Sequence, residues 1–544
     1  MKTKFKRLGL ATAVAAASAS YASVSNAQVV DPSIASGNIG DLALIPYYTV
    51  NANWVTGVHI INTSDYTQVV KLRLRRAADS ADALDFNLIL SPKDEWTGFI
   101  DEEADGTIVF NTTDNSCTAP IRADGRFPMP FIFRPGAEEG YIEVIGMGTS
   151  FDTAISRAAK HIDGVPLDCE AVASNFFANG TPVSKGIINY FSSTQEVLDT
   201  AVYLGVTGSV CSPSPAVGGP GVCSNTYFDG ENALAVSYFF RDAEAGTEFG
   251  GNATHIEDFS LNPWMTNQEF GLFSGDIEGF DYPDLNGGPL FQVNRDRYNR
   301  LRSGNVLGVS EVLNDWSVAT ARNVSTDWVV TLPGQYTMID YVTWASAADL
   351  DFANCATPND PLTPLDDSIA ACDFRDIPVD AFPTLYDREE TGVVPEDGNL
   401  VISPAPPGEV NQLVFPFEVN VVEWTDGTTP PVLQSDFATT IDPTVLGEFG
   451  WAELSVFSTL NHNQFVCEFT PGSTSWDNFP SLNPNSRMFT PIIGPPFNNI
   501  PCVAAQGNVP VIGFVAWQRS FPSNPDANYG RLIDHSFVSG FIFD

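Results

Sequence analysis

The residue types best suited to binding a metal ion lie in the stretch "DEEADGTI". Asp101, Glu103 and Asp105 stand at alternate positions before Gly106. Calcium prefers hard oxygen ligands arranged around a glycine turn, but Thr112 occupies the place where a calcium loop carries a bidentate glutamate. The stretch therefore predicts a hairpin turned at Gly106, with Ca²⁺ binding at the three carboxylates as the alternative.

Motifs for enzymatic catalysis are scarce in the chain. The five histidines are scattered, and no H-E-x-x-H, G-x-S-x-G, phosphate-loop or dinucleotide-binding motif occurs. Two carboxylates that flank a glycosidic bond could hydrolyse it, but the 66 acidic residues offer no pair that stands out. We therefore expect a non-catalytic protein, with a secreted carbohydrate-active or other hydrolytic enzyme that uses a carboxylate pair as the alternative.

The first 27 residues have the composition of a secretory signal peptide. Four basic residues occur within the first seven positions, an apolar run begins at Leu8, and the small residues Ser25 and Ala27 precede Gln28. No later stretch reaches the roughly 18 apolar residues of a membrane-spanning helix. We therefore expect residues 1–27 to be removed and the mature chain to be exported to the periplasm, the cell surface or the exterior, without a membrane span.

Eight cysteines in an exported chain predict disulfide bonds. A zinc site is disfavoured because the chain has no C-x-x-C motif. Pairing each cysteine with its nearest neighbour staples loops that are rich in Pro, Gly and Asp. The predicted pairs are Cys117–Cys169, Cys211–Cys223, Cys355–Cys372 and Cys467–Cys502.

The chain is strongly acidic, with a formal net charge of −40 at pH 7. Such a surface would repel the phosphates of nucleic acid, so nucleic acid is excluded as a partner. The same charge suits a saline habitat, divalent cations or a crowded cell exterior, because net charge controls solubility and association rather than fold.

Alternating side chains over residues 71–90, "KLRLRRAADSADALDFNLIL", predict a β-hairpin. Pairing Leu72 with Leu88 places the apolar residues on one face and brings Arg75 opposite Asp85 on the other. Charge runs of this kind usually face solvent. We therefore expect the basic stripe to lie on a solvated face, with a docking site for an anionic glycan or partner as the alternative.

Short segments bounded by turn residues predict strands along most of the chain. Helical patterns are limited to residues 152–162, 168–177 and 231–243. The combination predicts an all-β fold of β-sandwich units, immunoglobulin-like or jelly-roll-like, with small helical insertions and disulfide-stapled loops. Further strands are expected at residues 55–62, 106–111, 140–148, 327–332, 415–424, 450–458 and 509–517.

The length of 544 residues predicts more than one structural unit. Residues 211–223 are rich in Pro and Gly, and residues 353–411 are rich in loop formers, so both are candidate boundaries. We expect an N-terminal β-sandwich unit at 28–210, a mixed β and helical region at 211–352, and a loop-rich C-terminal β unit at 353–544 that could pack with the first.

The segment "VTGVHIINTSDYTQVVKLRLRRAADSADALDFNLILSPKDEW" resembles bacterial immunoglobulin-like modules, in which a strand ends in an Asn-Thr-Ser-Asp turn and the next strand follows. Together with "TDWVVTL", it makes the chain similar to exported β-rich surface proteins of Gram-negative bacteria. This resemblance implies an envelope protein and assigns no catalytic residue. We therefore expect a secreted or cell-surface structural or binding protein, with a glycan, an envelope component or a second copy of itself as partner.

Overall fold

The computed structural model describes an almost entirely β structure. Short α-helices, α1 (Ala154–Ala159) and α2 (Cys169–Ala173), and 3-10 turns at Asn51–Asn53, Thr320–Arg322, Thr444–Leu446 and Pro525–Ala527 interrupt the strands. No helix within the described segments is long and apolar enough to cross a membrane. The described residues are 31–78, 82–130, 134–150, 154–173, 177–178, 181–182, 230–260, 285, 301, 306–334, 379–389, 392–393, 401–403, 413–428, 430–458, 464–467, 502–505 and 509–538.

The first seventeen described strands build two large sheets and two small hairpins. They are β1 (Ser33–Ile34), β2 (Leu42–Thr49), β3 (Trp54–Asn62), β4 (Thr67–Arg76), β5 (Asp82–Leu90), β6 (Glu95–Glu102), β7 (Ile108–Asn111), β8 (Cys117–Ala119), β9 (Arg126–Pro128), β10 (Glu139–Ser150), β11 (His161–Ile162), β12 (Val165–Pro166), β13 (Phe177–Ala178), β14 (Thr181–Pro182), β15 (Leu234–Asp242), β16 (Thr247–Asn252) and β17 (Thr254–Glu257).

The remaining described strands build two further large sheets and two small two-stranded sheets. They are β18 (Gly308–Val309), β19 (Glu311–Ser317), β20 (Val324–Thr331), β21 (Val379–Asp387), β22 (Gly392–Val393), β23 (Val401–Ser403), β24 (Leu413–Phe415), β25 (Val419–Trp424), β26 (Ala438–Asp442), β27 (Phe449–Ser458), β28 (Gln464–Cys467), β29 (Cys502–Ala505), β30 (Val509–Pro510), β31 (Ile512–Arg519), β32 (Tyr529–Asp534) and β33 (Ser536–Val538).

Two sheets form the N-terminal sandwich. Sheet A has the strand order β1-β17-β2-β10-β4-β5-β8, and sheet B has the order β16-β15-β3-β6-β7-β9. Their facing side chains share one core, in which Phe86 of sheet A stacks on Phe127 at a centroid distance of 4.1 Å and meets Trp96 and Phe110 edge-on. Paired rings contribute beyond the burial of their apolar surface, so this cluster holds the two sheets together.

Two more sheets form the C-terminal sandwich. Sheet C has the strand order β23-β26-β25-β20-β31-β32, and sheet D has the order β22-β21-β27-β19-β33, with β24 beside β21. In the core between them, Trp424 of sheet C contacts Trp316 of sheet D at 6.0 Å and Trp328 of sheet C at 5.0 Å. The predicted all-β sandwich architecture is thus confirmed for both halves of the chain.

The central strands of sheet C, β25, β20 and β31, are buried on both faces. On β20, Trp328 and Val330 belong to the core of the C-terminal sandwich, whereas Val329 belongs to the core of the N-terminal sandwich. On β31, Val515 belongs to the core of the C-terminal sandwich and Phe514 to the core of the N-terminal sandwich. A strand with two buried faces shows a continuous apolar run instead of alternation, as "WVV" does on β20. Sheet C therefore joins the two sandwiches.

The described strands of the predicted middle region, residues 211–352, pair with strands on either side. Strands β15 to β17 belong to sheets A and B, whereas β18 to β20 pair with strands that follow residue 353. The predicted boundaries at residues 211 and 353 lie outside the described residues, so these boundaries stay predictions.

The predicted helix at residues 231–243 is wrong, because this segment forms β15. Every second side chain from Leu234 to Phe240 is buried, which is the period of a strand. The prediction relied on the helix formers Glu, Ala and Leu at the start of the segment. Packing against sheet A outweighs their helix propensity in the folded chain. The segments 152–162 and 168–177 each contain a shorter helix, α1 and α2, but their ends at His161–Ile162 and Phe177 belong to β11 and β13. Each strand expected elsewhere overlaps a described strand.

The hairpin predicted at residues 71–90 is confirmed as β4 and β5, but its register is wrong by two residues. Arg73 stands opposite Asp85, and a bulge brings Arg75 opposite Asp82. A shift of two leaves every side chain on its own face, so alternation could not distinguish the two registers. The predicted pairing of Arg75 with Asp85 is therefore corrected.

The predicted disulfide between Cys117 and Cys169 is confirmed. It joins β8 to α2 within a small apolar cluster that also contains α1. Cys467 and Cys502, which were also predicted to pair, occupy directly opposite backbone positions on β28 and β29. The predicted pairs Cys211–Cys223 and Cys355–Cys372 lie outside the described residues.

Candidate functional site

The stretch "DEEADGTI" forms the predicted hairpin between β6 and β7. Asp101 accepts a hydrogen bond from Asn111 at 2.7 Å, and Glu103 forms an ion pair with Arg126. Asp105 accepts a hydrogen bond at 3.0 Å from the backbone N–H two residues along the chain. Each carboxylate thus has its own protein partner, and in the part of the chain described here no three Asp, Glu, His or Cys side chains are grouped to hold a metal ion.

Calcium binding at Asp101, Glu103 and Asp105 stays a prediction that a melting experiment decides. If the three carboxylates hold Ca²⁺, millimolar calcium raises the Tm of the full chain above that in sodium chloride of matched ionic strength, because binding to the native state adds stability by mass action. The additional shift must then disappear in the Asp105→Asn variant. Equal melting curves in the two salts contradict the site and leave only screening of the acidic charge.

The basic stripe on β4 is buried, so the expectation that it faces solvent is wrong. The exposed fractions of Lys71, Arg73 and Arg75 are 0%, 1% and 2%. Strand β4 lies between β10 and β5 at the centre of sheet A, and these two neighbours supply buried carboxylates in place of water. A buried stripe is also inaccessible to an external glycan, so the alternative of a docking site is not supported.

Carboxylates on both sides neutralise the stripe. Arg75 binds Glu143 through Nε and Nη2, at 3.1 and 3.3 Å. Arg73 lies 2.9 Å from Asp82 and 3.3 Å from Asp85. Paired charges of this kind are the form in which ionised groups are tolerated in a protein interior. We call the set the buried ion network, which comprises Lys71, Arg73, Arg75, Asp82, Asp85 and Glu143.

Glu139, at the start of β10, links the two sandwiches. Its buried carboxylate accepts hydrogen bonds from Tyr47 and Asn51 of the N-terminal sandwich, at 2.5 and 2.6 Å. It also accepts bonds from the Ser435 hydroxyl and the Asp436 backbone N–H of the C-terminal sandwich, at 2.6 and 2.8 Å. Because both carboxylate oxygens are satisfied by donors from the two sandwiches, Glu139 fixes their contact.

A pair of carboxyl groups lies on sheet C near this link. Asp327 on β20 and Glu423 on β25 stand directly opposite each other, a position in which Cβ atoms are about 4.5–5.5 Å apart. Burial, with a smaller effect of Glu139, raises the pKa of Glu423 to about 7. Burial and the facing Glu423 raise the pKa of Asp327 well above its usual range. The pair can therefore hold a proton at neutral pH.

A cavity of about 260 Å³ opens at the junction of the sandwiches, and we call it the junction pocket. The N-terminal sandwich contributes Trp54 of β3 and Asp242 of β15, which are directly paired strand neighbours. The C-terminal sandwich contributes the loop before β26 and the end of β31. Val432 in this loop lines the pocket, and the next residue, Leu433, donates its backbone N–H to Asp327 at 2.7 Å. The carboxyl pair thus lies behind one wall.

Polar side chains of the junction pocket keep unused hydrogen-bonding atoms. Asp242 accepts two backbone hydrogen bonds, both through Oδ1, and the side chain of Gln518 donates only through Nε2. The side-chain amides of Asn323 and Gln434 form no hydrogen bond to any described residue. The indole N–H of Trp54 also has no partner in the described part of the chain, but it is buried and cannot itself reach a ligand in this conformation. The pocket is therefore equipped to bind a polar ligand.

The residues of the junction pocket could not be found from a motif. The pocket collects residues from short segments that are widely separated along the chain between Trp54 and Pro522. A local signal was present at the Asp426-Gly427 turn, which is followed closely by Pro430 and Pro431 and marks an ordered loop.

The junction thus combines a proton-holding carboxyl pair with a neighbouring pocket of polar side chains. The sandwiches hold its two walls through the Glu139 link and the doubly buried sheet C. Comparison with protein-family models, with curated proteins and with solved structures finds no match to the chain.

Proposed function

We propose that the protein is an exported, non-catalytic binding protein of the bacterial envelope, and that the junction pocket is its ligand site. The lining of the pocket carries this proposal, because polar side chains with unused hydrogen-bonding atoms lie beside proline rings and an indole. Apolar walls with a few oriented polar groups are typical of small-molecule sites. The composition of residues 1–27 supports export.

The scaffold around the pocket suits binding without a large conformational change. Glu139 accepts hydrogen bonds from both sandwiches, and sheet C contributes to both cores. Trp54, Asp242 and Gln518 lie on packed strands, which keep their positions better than loops do, whereas Asn323 and Gln434 lie in loops.

A carboxylate-pair hydrolase is the second candidate, and the pair of Asp327 and Glu423 favours it. Opposed carboxyls with raised pKa values are what a general acid and its partner require. However, Asp327 is only 1% exposed and accepts the N–H of Leu433, so a glycosidic bond cannot reach it in this conformation. The geometry therefore supports binding better than hydrolysis.

Fractionation of cells that express the full chain tests export. We expect the protein in the periplasm, on the surface or in the medium, with a mature N-terminus at Gln28, because the leader precedes a small-residue cleavage site. Intact protein that retains residues 1–27 in the cytoplasmic fraction would contradict the proposal.

Incubation with nitrophenyl glycosides and neutral polysaccharides tests the absence of catalysis. We expect no turnover by the purified mature protein, and none that distinguishes it from the Asp327→Asn and Glu423→Gln variants. Turnover that both substitutions abolish would instead establish the hydrolase, because the two carboxyls would then act on the substrate.

A further inference from the structure

We infer that the junction pocket binds a single neutral sugar ring, such as the terminal unit of a glycan. The inference rests on the proposed binding function and names the ligand class of that same site.

The charge of the lining excludes an anionic ligand. Among the described residues that line the pocket, Asp242 alone carries a charge, and no lysine or arginine balances it. The chain as a whole has a net charge of −40, so the surrounding potential also repels anions. A phosphate, a carboxylate or an acidic sugar would therefore enter without a counter-charge and against the field.

The unused atoms of the lining match hydroxyl groups. Asp242 Oδ2 and Gln518 Oε1 can only accept hydrogen bonds, whereas the amides of Asn323 and Gln434 can both donate and accept. A hydroxyl group also donates and accepts, so neighbouring hydroxyls on one ring can satisfy both kinds of atom. A hydrocarbon would leave these polar groups unpaired, which weakens binding.

The walls and size of the pocket match the carbon face of one ring. Pro430, Pro431 and Pro522 present apolar rings, and Trp54 lies on the opposite sandwich. Drug-sized ligands occupy pockets of roughly 300–1,000 Å³. The volume of about 260 Å³ lies just below that range, so it fits a single monosaccharide unit better than a longer chain held entirely inside.

Two of the polar residues in the lining have a backbone conformation that glycine can keep. Asn323 and Gln434 have φ values of 50° and 52°, in the left-handed region that favours glycine. Ala52 and Asn53, which immediately precede Trp54, have φ values of 51° and 70°. Asn323 ends the 3-10 turn Thr320–Arg322 in this conformation, which glycine adopts without steric cost.

Ligand-observed NMR on the mature full-length protein tests the inference. The probes are the methyl glycosides of glucose, galactose and mannose and free N-acetylglucosamine, with glucuronate as the anionic probe and an acetylated, amidated dialanine as the peptide probe. We expect saturable binding of at least one neutral sugar and none of glucuronate or the peptide. Binding of the peptide or of glucuronate with no neutral sugar bound would overturn the ligand class.

Glycine substitutions can remove a side chain that contacts the sugar without unfolding the protein. Gln434→Gly and Asn323→Gly remove the amides but keep the left-handed backbone, so the variants should fold. Each should weaken sugar binding by about tenfold, which is the effect of one lost hydrogen bond. Asn38→Gly is the matched control, because Asn38 has a φ of 53° and does not line the pocket. Unchanged binding in both pocket variants would overturn the site.

The outcomes also separate this inference from the proposed function. If the protein is exported, shows no turnover and binds none of the neutral sugars, only the inferred sugar site is contradicted. If the protein stays in the cytoplasm, or has a glycosidase activity that needs Asp327 and Glu423, the proposed function is contradicted, whether or not a sugar binds.

Discussion

Replacing Glu143 by glutamine is expected to destabilise the fold by about 3 to 5 kcal/mol, because it leaves an excess of buried positive charge. Glu143 is fully buried and accepts hydrogen bonds from Arg75 at 3.1 and 3.3 Å and from the Tyr141 hydroxyl at 3.3 Å. Glutamine preserves the size of the side chain, but it removes the charge and places a donating NH2 group where one carboxylate oxygen accepts a hydrogen bond from Arg75. Urea denaturation of the variant and the wild type measures the loss.

Glu248→Gln is the matched control for this experiment. Glu248 lies 3.8 Å from Arg241, and both side chains are 60% exposed. Exposed ion pairs contribute about 0–1 kcal/mol, since water solvates both partners. We therefore expect a loss of less than about 1 kcal/mol. Equal losses in the two variants would mean that the burial of the ion network has no energetic consequence.

The hairpin of β4 and β5 was only partly predictable from the sequence. The alternation of Leu72 and Leu74 with basic residues identified the strand and the face toward the core, and both predictions hold. The register was missed because a shift of two residues satisfies the apolar face equally well. In the observed register Arg73 stands between Asp85 and Glu143. The pairing of charges therefore distinguishes the two registers, which the apolar face alone does not.

The burial of these charges depends on a strand that is distant in sequence. Glu143 belongs to β10, which inserts between β2 and β4 only in the folded sheet. Local charge patterning gives no indication that such a neighbour exists, and a run of basic residues is more often solvated. For this reason the solvated face was the natural prediction, although it is wrong here.

The junction pocket could not be predicted from the sequence either, because its residues come together only in the folded chain. Its polar residues, such as Asn323 and Gln434, are isolated in loops, and neither stands in a recognised motif. What the sequence did supply was the apolar run of β20, which marks a strand with two buried faces. That run anticipates a contact between two layers, but not the cavity that forms beside it.

Raising the pH from about 6.5 to about 8.5 is expected to destabilise the protein. Burial raises the pKa of Asp41 and of Glu423 to about 7, and it raises the pKa of Asp327 well above its usual range. In the unfolded chain such carboxyls are ionised above about pH 5. The folded state therefore holds more protons than the unfolded state, and stability falls as the pH rises through the folded pKa values.

Two histidines set the lower limit of this pH window. Burial lowers the pKa of His535 to about 4 and also lowers that of His255. Below about pH 6.5 the unfolded histidines take up protons that the folded ones do not, so stability there falls as the pH falls. Above that value only the carboxyls contribute, and the expected loss is on the order of 1 to 3 kcal/mol, since one pKa unit corresponds to about 1.4 kcal/mol.

Asp327→Asn tests whether the carboxyl pair at the junction holds one of these protons. Asparagine keeps an oxygen that can accept the Leu433 N–H, which lies 2.7 Å from Asp327, but it does not titrate. It also removes the titrating carboxyl opposite Glu423, so the variant should lose less stability between the two pH values than the wild type. Glu248→Gln, on an exposed side chain, should keep the wild-type dependence. A wild type that is equally stable at both pH values would contradict the prediction, because it would mean that these carboxyls do not gain protons on folding.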